Sequence, residues 1–161
     1  MKRFLVGLFV VIFSLMLVGC STDPVTKDLE GYSALNVKLD KQFNLMAMSR
    51  DMSIKMTKAQ NSQDIAEILR EFRVFVVALD QEMANFKPTT EEVRVPYAVV
   101  QAGVRDIIDG IDMAVKGAET DDQEVMLVGF EGIDRGSRGV VKGEAAIEKV
   151  AKAKGYEIQK N

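Results

Sequence analysis

The segment GFEGIDRGSRGVVKG, from Gly129 to Gly143, decides the fold because it combines a helical apolar pattern with regularly spaced glycines. The glycines follow one another at alternating steps of three and four residues, so on an α-helix they share one face. Each glycine inside a helix costs about 0.5–1 kcal/mol relative to alanine. This cost indicates a face on which a second helix backbone approaches closely, since no side chain holds the two backbones apart. The glycines predicted to pack in this way are Gly129, Gly132, Gly136, Gly139 and Gly143.

The preceding helical pattern carries Gly103, Gly110 and Gly117, which are seven residues apart and therefore also share one face. We predict that the two glycine faces pack against each other inside one chain. Two alternatives are a self-association surface, which makes a homo-oligomer, and a break near Gly136 that divides the last segment into two helices. The spacing lacks the Gly-x-Gly-x-x-Gly order of dinucleotide-binding loops, so it does not indicate nucleotide binding.

Four segments between residues 25 and 155 show apolar residues every three or four positions, the period of a core-facing helix. The first continues to Met56 or Lys58, and the last ends near Lys154. Short turns between such helices predict an all-α fold, an antiparallel up-down-up-down four-helix bundle that follows a cleaved N-terminal signal helix. The first helix is predicted to start near Val25, and the second has its N-cap within residues 61–64, with an acid in its first turn. Thr89 or Thr90 is the predicted cap of the third helix, and residues 120–123 resemble a capping box for the fourth.

The amino-terminal end has the order of a secretory signal peptide. Basic residues at positions 2 and 3 precede an apolar stretch from Phe4 to Val18, and the only cysteine of the chain, Cys20, follows Gly19. The run Leu17-Val18-Gly19-Cys20 resembles the lipobox of bacterial lipoproteins. The remainder of the chain is similar to small helical lipoproteins of bacterial envelopes that have no assigned chemistry.

The lipobox resemblance implies that residues 1–19 are removed and that Cys20 carries a diacylglycerol thioether on its sulfur and can carry an acyl chain on its new amino terminus. Two or three acyl chains hold a protein firmly on a bilayer. Residues 20–24 then form a short lipidated tether, residues 25–155 the bundle domain, and residues 156–161 a loose tail. The protein is expected outside the cytoplasm, on the outer membrane facing the periplasm or, in an organism with one membrane, on the outer face of the cell membrane.

Composition excludes several classes of function. The chain has no histidine, which removes Ser-His-Asp and Cys-His catalysis and the usual zinc sites. Its net charge is −3 and no basic patch stands out, so nucleic acid is not an expected partner. The acids Asp106, Asp109 and Asp112 do not follow the EF-hand spacing and are expected to form a solvated face. No metal site and no cofactor other than the covalent lipid are predicted.

Three methionines, Met48, Met52 and Met56, recur every fourth residue near the end of the first helix. The favoured interpretation is a core-facing stripe, since methionine at helical spacing packs readily into cores. One alternative is an adaptable groove for an apolar ligand or peptide. The other is a Cu(I) site, because soft thioethers select that ion.

The sequence therefore predicts a lipid-anchored, extracytoplasmic helical protein that is not an enzyme. Its expected role is a non-catalytic binding or envelope-assembly module, with another envelope protein as the partner. The alternative functions are a carrier of an apolar ligand or of Cu(I) and, least favoured, an enzyme. An enzyme would need a buried pair of acids, whereas a carrier would need a pocket lined by the three methionines.

Overall fold

A computed structural model describes residues 23–158, which are all-α. The predicted signal peptide, Cys20 and the last three residues of the chain lie outside the described residues. Within the described range the chain forms five helices, numbered here in chain order. They are α1 (Pro24–Phe43), α2 (Leu45–Lys58), α3 (Ser62–Met83), α4 (Glu91–Glu119) and α5 (Gln123–Ala153). None of these helices is both long and apolar enough to cross a bilayer.

Asn44 divides the segment that was predicted to be one first helix, so that prediction is wrong at this position. Its backbone has φ 48° and ψ 61°, a left-handed conformation that asparagine tolerates better than most residues. Its N–H donates to Asp40 O at 2.7 Å and ends α1. Its side-chain oxygen accepts from Ala47 N at 3.3 Å and caps α2. One residue thus ends a helix and starts the next in a new direction.

The start of α4 is capped by a residue of α1 rather than by its own threonines. Thr90 occupies the N-cap position, but its side chain makes no capping bond to its own helix. Instead the carboxylate of Asp28 accepts hydrogen bonds from the backbone N–H of Thr89 at 2.8 Å and of Thr90 at 2.7 Å. The Thr90 hydroxyl donates to the same carboxylate at 2.6 Å. The cap predicted at Thr89 or Thr90 is therefore supplied from a distant part of the chain.

The core lies among α1, α3, α4 and α5. Leu29, Leu69, Ile111 and Ile147, one from each of these helices, are fully buried. An aromatic cluster closes one end, where Tyr97 packs edge-on against Phe86 at 4.9 Å and against Tyr32 at 6.0 Å between ring centroids. The Tyr97 hydroxyl donates to Met83 O at 2.7 Å, so this buried polar group is satisfied.

The contacts between α1 and α3, and those between α3 and α4, show that each pair of helices is antiparallel: later residues of one helix meet earlier residues of the other. Between α1 and α3, Lys38 pairs with Glu82 at 2.5 Å, while the later Phe43 meets the earlier Phe75 at 5.4 Å between ring centroids. Ion pairs from α3 to α4 follow the same order, since Arg70 binds Glu119 and Arg73 binds Asp112. The contact between α4 and α5 is by far the most extensive, whereas α1 and α5 touch little.

The chain after α5 turns back onto the bundle. Gly155 has φ 66°, which a residue with a side chain rarely adopts, and Tyr156 N donates to Ala151 O at 2.9 Å. Tyr156 and Ile158 then pack against the core as partly buried residues. The tail predicted to be loose from residue 156 is therefore attached to the bundle through residue 158.

Candidate functional site

The glycines of α5 lie against the backbone of α4. A Cβ atom added to Gly136 would lie 2.5 Å from Gly103 O and 2.8 Å from Ile107 N. One added to Gly143 would lie 2.8 Å from Pro96 O. Real Cβ atoms essentially never approach other atoms this closely, so the two helices meet backbone to backbone. Since α5 is continuous from Gln123 to Ala153, the alternative of a break near Gly136 is wrong.

The two glycine faces meet directly. Added Cβ atoms would lie 3.1 Å from Gly110 Cα at Gly132 and 3.3 Å from Gly103 Cα at Gly139. A Cβ added to Gly129 would overlap Ala114. Because α4 occupies this face of α5, four of the five glycines are buried and a second molecule has no access to them; they are Gly129, Gly132, Gly136 and Gly143. The alternative of self-association through the glycine face is therefore not compatible with the fold.

Helix α2, which carries the methionines, lies on the outside of the bundle. None of its residues is buried, and Met48, Met52 and Met56 are only half-buried. The prediction that these methionines belong to the core is therefore wrong. The turn at Asn44 changes the chain direction between α1 and α2. The methionines, whose spacing suits a core-facing helix, therefore lie on a helix at the surface.

Met52 and Met56 form one wall of an open groove of about 540 Å³, called here the methionine groove. Its floor is apolar, and serine and threonine hydroxyls stand beside the methionines. Met48 is outside the set of residues that line it, and no charged side chain belongs to that set. The lining residues are Ser49, Met52, Ser53, Met56 and Thr57 of α2, Phe72 of α3, Ile107 of α4, and Ile133 and Ser137 of α5.

One charged residue of α2 forms an ion pair with a neighbouring helix of the bundle. Lys55 lies 2.6 Å from a Glu71 carboxylate oxygen of α3 and 3.1 Å from Asp51 on its own helix. The hydrogen bonds that the Lys55 ammonium group donates to Glu71 and Asp51 raise the pKa of Lys55. These groups are exposed, so the pairs contribute little stability. The weak attachment is typical of an element that can adjust to a bound partner.

The groove can bind an apolar group, because its lining offers dispersion contacts and weakly polar hydroxyls but no charge. Methionine side chains adapt to irregular partners because they are unbranched and polarisable. Within residues 23–158, no group of three or more histidine, cysteine, aspartate or glutamate side chains could hold a metal ion. The soft donors that line this groove are the thioethers of Met52 and Met56.

The remaining predicted candidates are distributed over the surface. Asp112 pairs with Arg73 at 3.0 Å, and Asp106 and Asp109 are exposed. Within the described part of the chain, Asp28 is a buried acidic residue, and the half-buried Asp80 has one buried carboxylate oxygen that makes no hydrogen bond and lies 3.7 Å from Arg105 Nε. Burial alone would raise the pKa of Asp28, but the hydrogen bonds from Thr90 and Thr89 outweigh it and lower that pKa below its usual value.

Sequence reasoning did not identify the floor of the groove. Phe72 and Ile107 belong to apolar stripes that any core-facing helix would show, so the sequence did not indicate that these two side chains are only partly buried.

A scan of protein-family models, a search of curated proteins and a search of solved structures gave no significant match.

Proposed function

We propose that this protein is a lipid-anchored, extracytoplasmic helical bundle that acts as a non-catalytic binding module. The anchor is the lipid on Cys20, attached after removal of residues 1–19. Only three residues separate Cys20 from Pro24, the first residue of α1, so the bundle sits close to the bilayer. In an organism with two membranes the proposed location is the outer membrane, facing the periplasm. In an organism with one membrane it is the outer face of the cell membrane.

We propose that the bundle has an antiparallel up-down-up-down arrangement in which α1 and α2 together occupy the first position. The opposite directions of the α1–α3, α3–α4 and α4–α5 contacts support this arrangement. Such a bundle presents α2 on its side, where the methionine groove separates it from Ile107 of α4 and Ile133 of α5.

The observation that carries the proposed function is the methionine groove. Its occupant is the apolar face of a helix from another envelope protein. The uncharged lining supports this choice, because a charged peptide would lose its hydration there without a partner charge. Adaptable methionines are typical of grooves that accept amphipathic helices.

The groove can be tested by site-specific photocrosslinking in intact cells. A benzophenone amino acid replaces Ser53 in the groove or, as a control, the exposed Glu131 on α5. We expect a discrete adduct from position 53 only, with the same partner recovered in every preparation. Met52→Lys should abolish that adduct, because a lysine places an unpaired charge beside the apolar floor.

Two results would contradict a docking function. One is the same set of adducts from positions 53 and 131, and the other is an adduct at position 53 that Met52→Lys leaves unchanged. The helix content of each variant, followed by circular dichroism, shows that the bundle is intact.

A second candidate is Cu(I) binding, because the three methionines are half-exposed on one helix rather than enclosed in the core. Leucine in place of Met52 and Met56 keeps the apolar volume but removes the thioethers. If the groove is a copper site, the double variant loses Cu(I) in competition with a chelator. In that case neither the parent nor the double variant forms the photocrosslinked adduct from position 53. If it is a docking groove, the double variant retains the adduct.

The non-catalytic part of the proposal is supported by Asp28. Its carboxylate is saturated by hydrogen bonds from Thr89 and Thr90, which leaves it a structural rather than a reactive group.

A further inference from the structure

A second open groove, of about 720 Å³, lies where α4 begins and α5 ends. Its lining residues belong to these two helices. We call it the valine groove, after the side chains that form most of its apolar surface. The apolar residues that line it are Val95, Pro96 and Val99 of α4 and Ala146 and Val150 of α5.

The apolar side chains of the valine groove are open to solvent. Val95 is 51% exposed, and Val99 and Val150 are only half-buried. The core at this level is filled from other faces of the same two helices, by residues such as Val93 and Ile147. The packing of the bundle therefore does not explain the exposed valines. Apolar surface that is exposed and surrounded by polar residues is typical of a contact with a partner or a membrane.

The charged side chains at the rim of the valine groove balance one another. Glu91 and Glu92 line it from the first turn of α4, where the positive end of the helix stabilises a carboxylate. Lys142 and Lys149 line it from α5. A lysine can lay its apolar stem along the valines and keep its ammonium group in a polar layer. Both signs of charge around an apolar centre match a zwitterionic lipid headgroup above its acyl chains.

The amino end of the described chain lies beside the valine groove. Asp23 pairs at 2.7 Å with Lys154, which is one helical turn beyond Val150. The hydrogen bond to Asp23 raises the pKa of Lys154 against the effect of burial, and the charge of Glu92 raises it further, so Lys154 is also near the rim of the groove. Cys20 is three residues before Asp23, and three residues of chain span at most about 11 Å.

We propose that the valine groove is the surface through which the bundle rests on the bilayer, with the valines at the level of the acyl chains and the charged rim among the headgroups. This inference rests on the proposed lipid on Cys20, which holds the groove within reach of the membrane. Weak affinity is sufficient, because a short tether makes the contact intramolecular and gives it a high effective concentration. The valine groove shares no lining residue with the methionine groove, so the membrane contact does not occupy the proposed docking site.

The contact can be tested on the lipidated protein in phosphatidylcholine vesicles. The lipid blocks the thiol of Cys20, the only cysteine, so Ala146→Cys provides a single site for a thiol-reactive nitrobenzoxadiazole dye. The matched control is Ala145→Cys, because Ala145 is also exposed but lies outside the groove, about 100° around the helix from Ala146. We expect a blue-shifted emission at position 146 that spin-labelled phosphatidylcholine quenches, and neither effect at position 145.

Val95→Asp should abolish the blue shift and the quenching at position 146, because a carboxylate in the centre of the contact is costly to remove from water. Val74→Asp makes the same substitution on α3, at a valine that is 71% exposed and outside the groove. It should leave both signals unchanged. Circular dichroism shows that the helix content of each variant is unchanged.

Flotation with the vesicles separates this proposal from that of the lipid anchor. Protein that floats but gives the same emission from positions 145 and 146 contradicts the membrane contact and leaves the anchor intact. Equal losses from Val95→Asp and Val74→Asp also contradict it. A blue shift that the spin label does not quench would show a second copy of the chain on the groove in place of the bilayer. Protein that does not float overturns both proposals.

Discussion

Asp28 shows how one side chain of the first helix determines where a distant helix begins. Four donors from Thr89 and Thr90 converge on its carboxylate, which is 7% exposed. The first turn of a helix has free N–H groups and a positive end, so a carboxylate there is stabilised. The chain between α3 and α4 is thereby fixed to α1.

Asp28→Asn should lower the free energy of unfolding by about 1–3 kcal/mol near neutral pH, because the charge that the threonine donors stabilise is lost. The pKa of Asp28 is lowered in the folded protein. Its contribution is therefore complete above the unfolded value of 3.8 and is lost as the pH falls through the folded value. The difference between the parent and the variant in urea unfolding should shrink between about pH 7 and about pH 2.

The control for this prediction is Asp109→Asn, which removes a carboxylate at an exposed position of α4. It should change the free energy of unfolding by less than about 0.5 kcal/mol at either pH. Equal effects at positions 28 and 109 would contradict a specific cap.

Two features that depend on single residues, the turn at Asn44 and the cap at Asp28, could not be predicted from the sequence. Asn44 lies inside an unbroken apolar period, and nothing in that period indicates a left-handed residue. Asp28 lies beside Leu29 on a core-facing helix, but the sequence does not show that Thr89 and Thr90 fold against it. Both errors come from contacts or backbone conformations that local periodicity does not encode.

At the scale of elements, the contact between α4 and α5 depends on missing side chains. Gly136→Ala places a Cβ atom 2.5 Å from Gly103 O and 2.8 Å from Ile107 N, and both are backbone atoms that cannot move aside alone. We expect a loss of about 1–3 kcal/mol, and a larger loss for Gly136→Leu. Urea unfolding followed by circular dichroism measures both.

Gly139→Ala is the matched control on the same helix. Its added Cβ atom would meet Gly103 Cα at 3.3 Å, a contact that needs a shift of only a few tenths of an ångström, and alanine gains helix propensity. Its effect should be at least about 1 kcal/mol less destabilising than that of Gly136→Ala. If alanine at position 136 raised the melting temperature, the close α4–α5 contact would be disproved.

Met52→Ala tests the position of α2. Because Met52 is half-buried on an open groove, we expect a loss below about 1.5 kcal/mol rather than the 2–5 kcal/mol typical of a core methionine. Leu69→Ala, at a fully buried position of α3, should lose about 2–5 kcal/mol. Equal losses at the two positions would place the methionine in the core after all.

The element scale was the most predictable from sequence. Apolar periods located α3, α4 and α5 closely, because these helices pack one face against a common core. The glycine spacing likewise indicated the α4–α5 contact, since regular glycines inside a helix are costly unless something lies against them. The same kind of period misplaced Met48, Met52 and Met56, because α2 has an amphipathic pattern but covers only a surface groove.

At the scale of the whole molecule, the tight α4–α5 pair and the separate direction of α2 leave the methionine groove open on the side of the bundle. No charged side chain lines this groove. The groove could not be predicted from the sequence, because it is lined by residues from four helices and depends on how far apart those helices lie.

The amino end of the bundle is where the proposed anchor joins the fold. Asp23 pairs with Lys154 at 2.7 Å, and Val25 is 5% exposed. The first described residues are thus attached to the end of α5. In the proposed anchored form, three residues of sequence separate the lipid on Cys20 from Pro24, the first residue of α1.

Metabolic labelling with radioactive palmitate, followed by membrane fractionation, tests the central claim of a lipid-anchored bundle most directly. The parent chain should incorporate label and remain with the membrane after a high-salt wash, in a form shorter than the full sequence. Cys20→Ser and Cys20→Ala should both incorporate none and leave an uncleaved or mislocalised precursor, because only the thiol forms the thioether. Normal labelling and membrane retention in either variant would contradict the account.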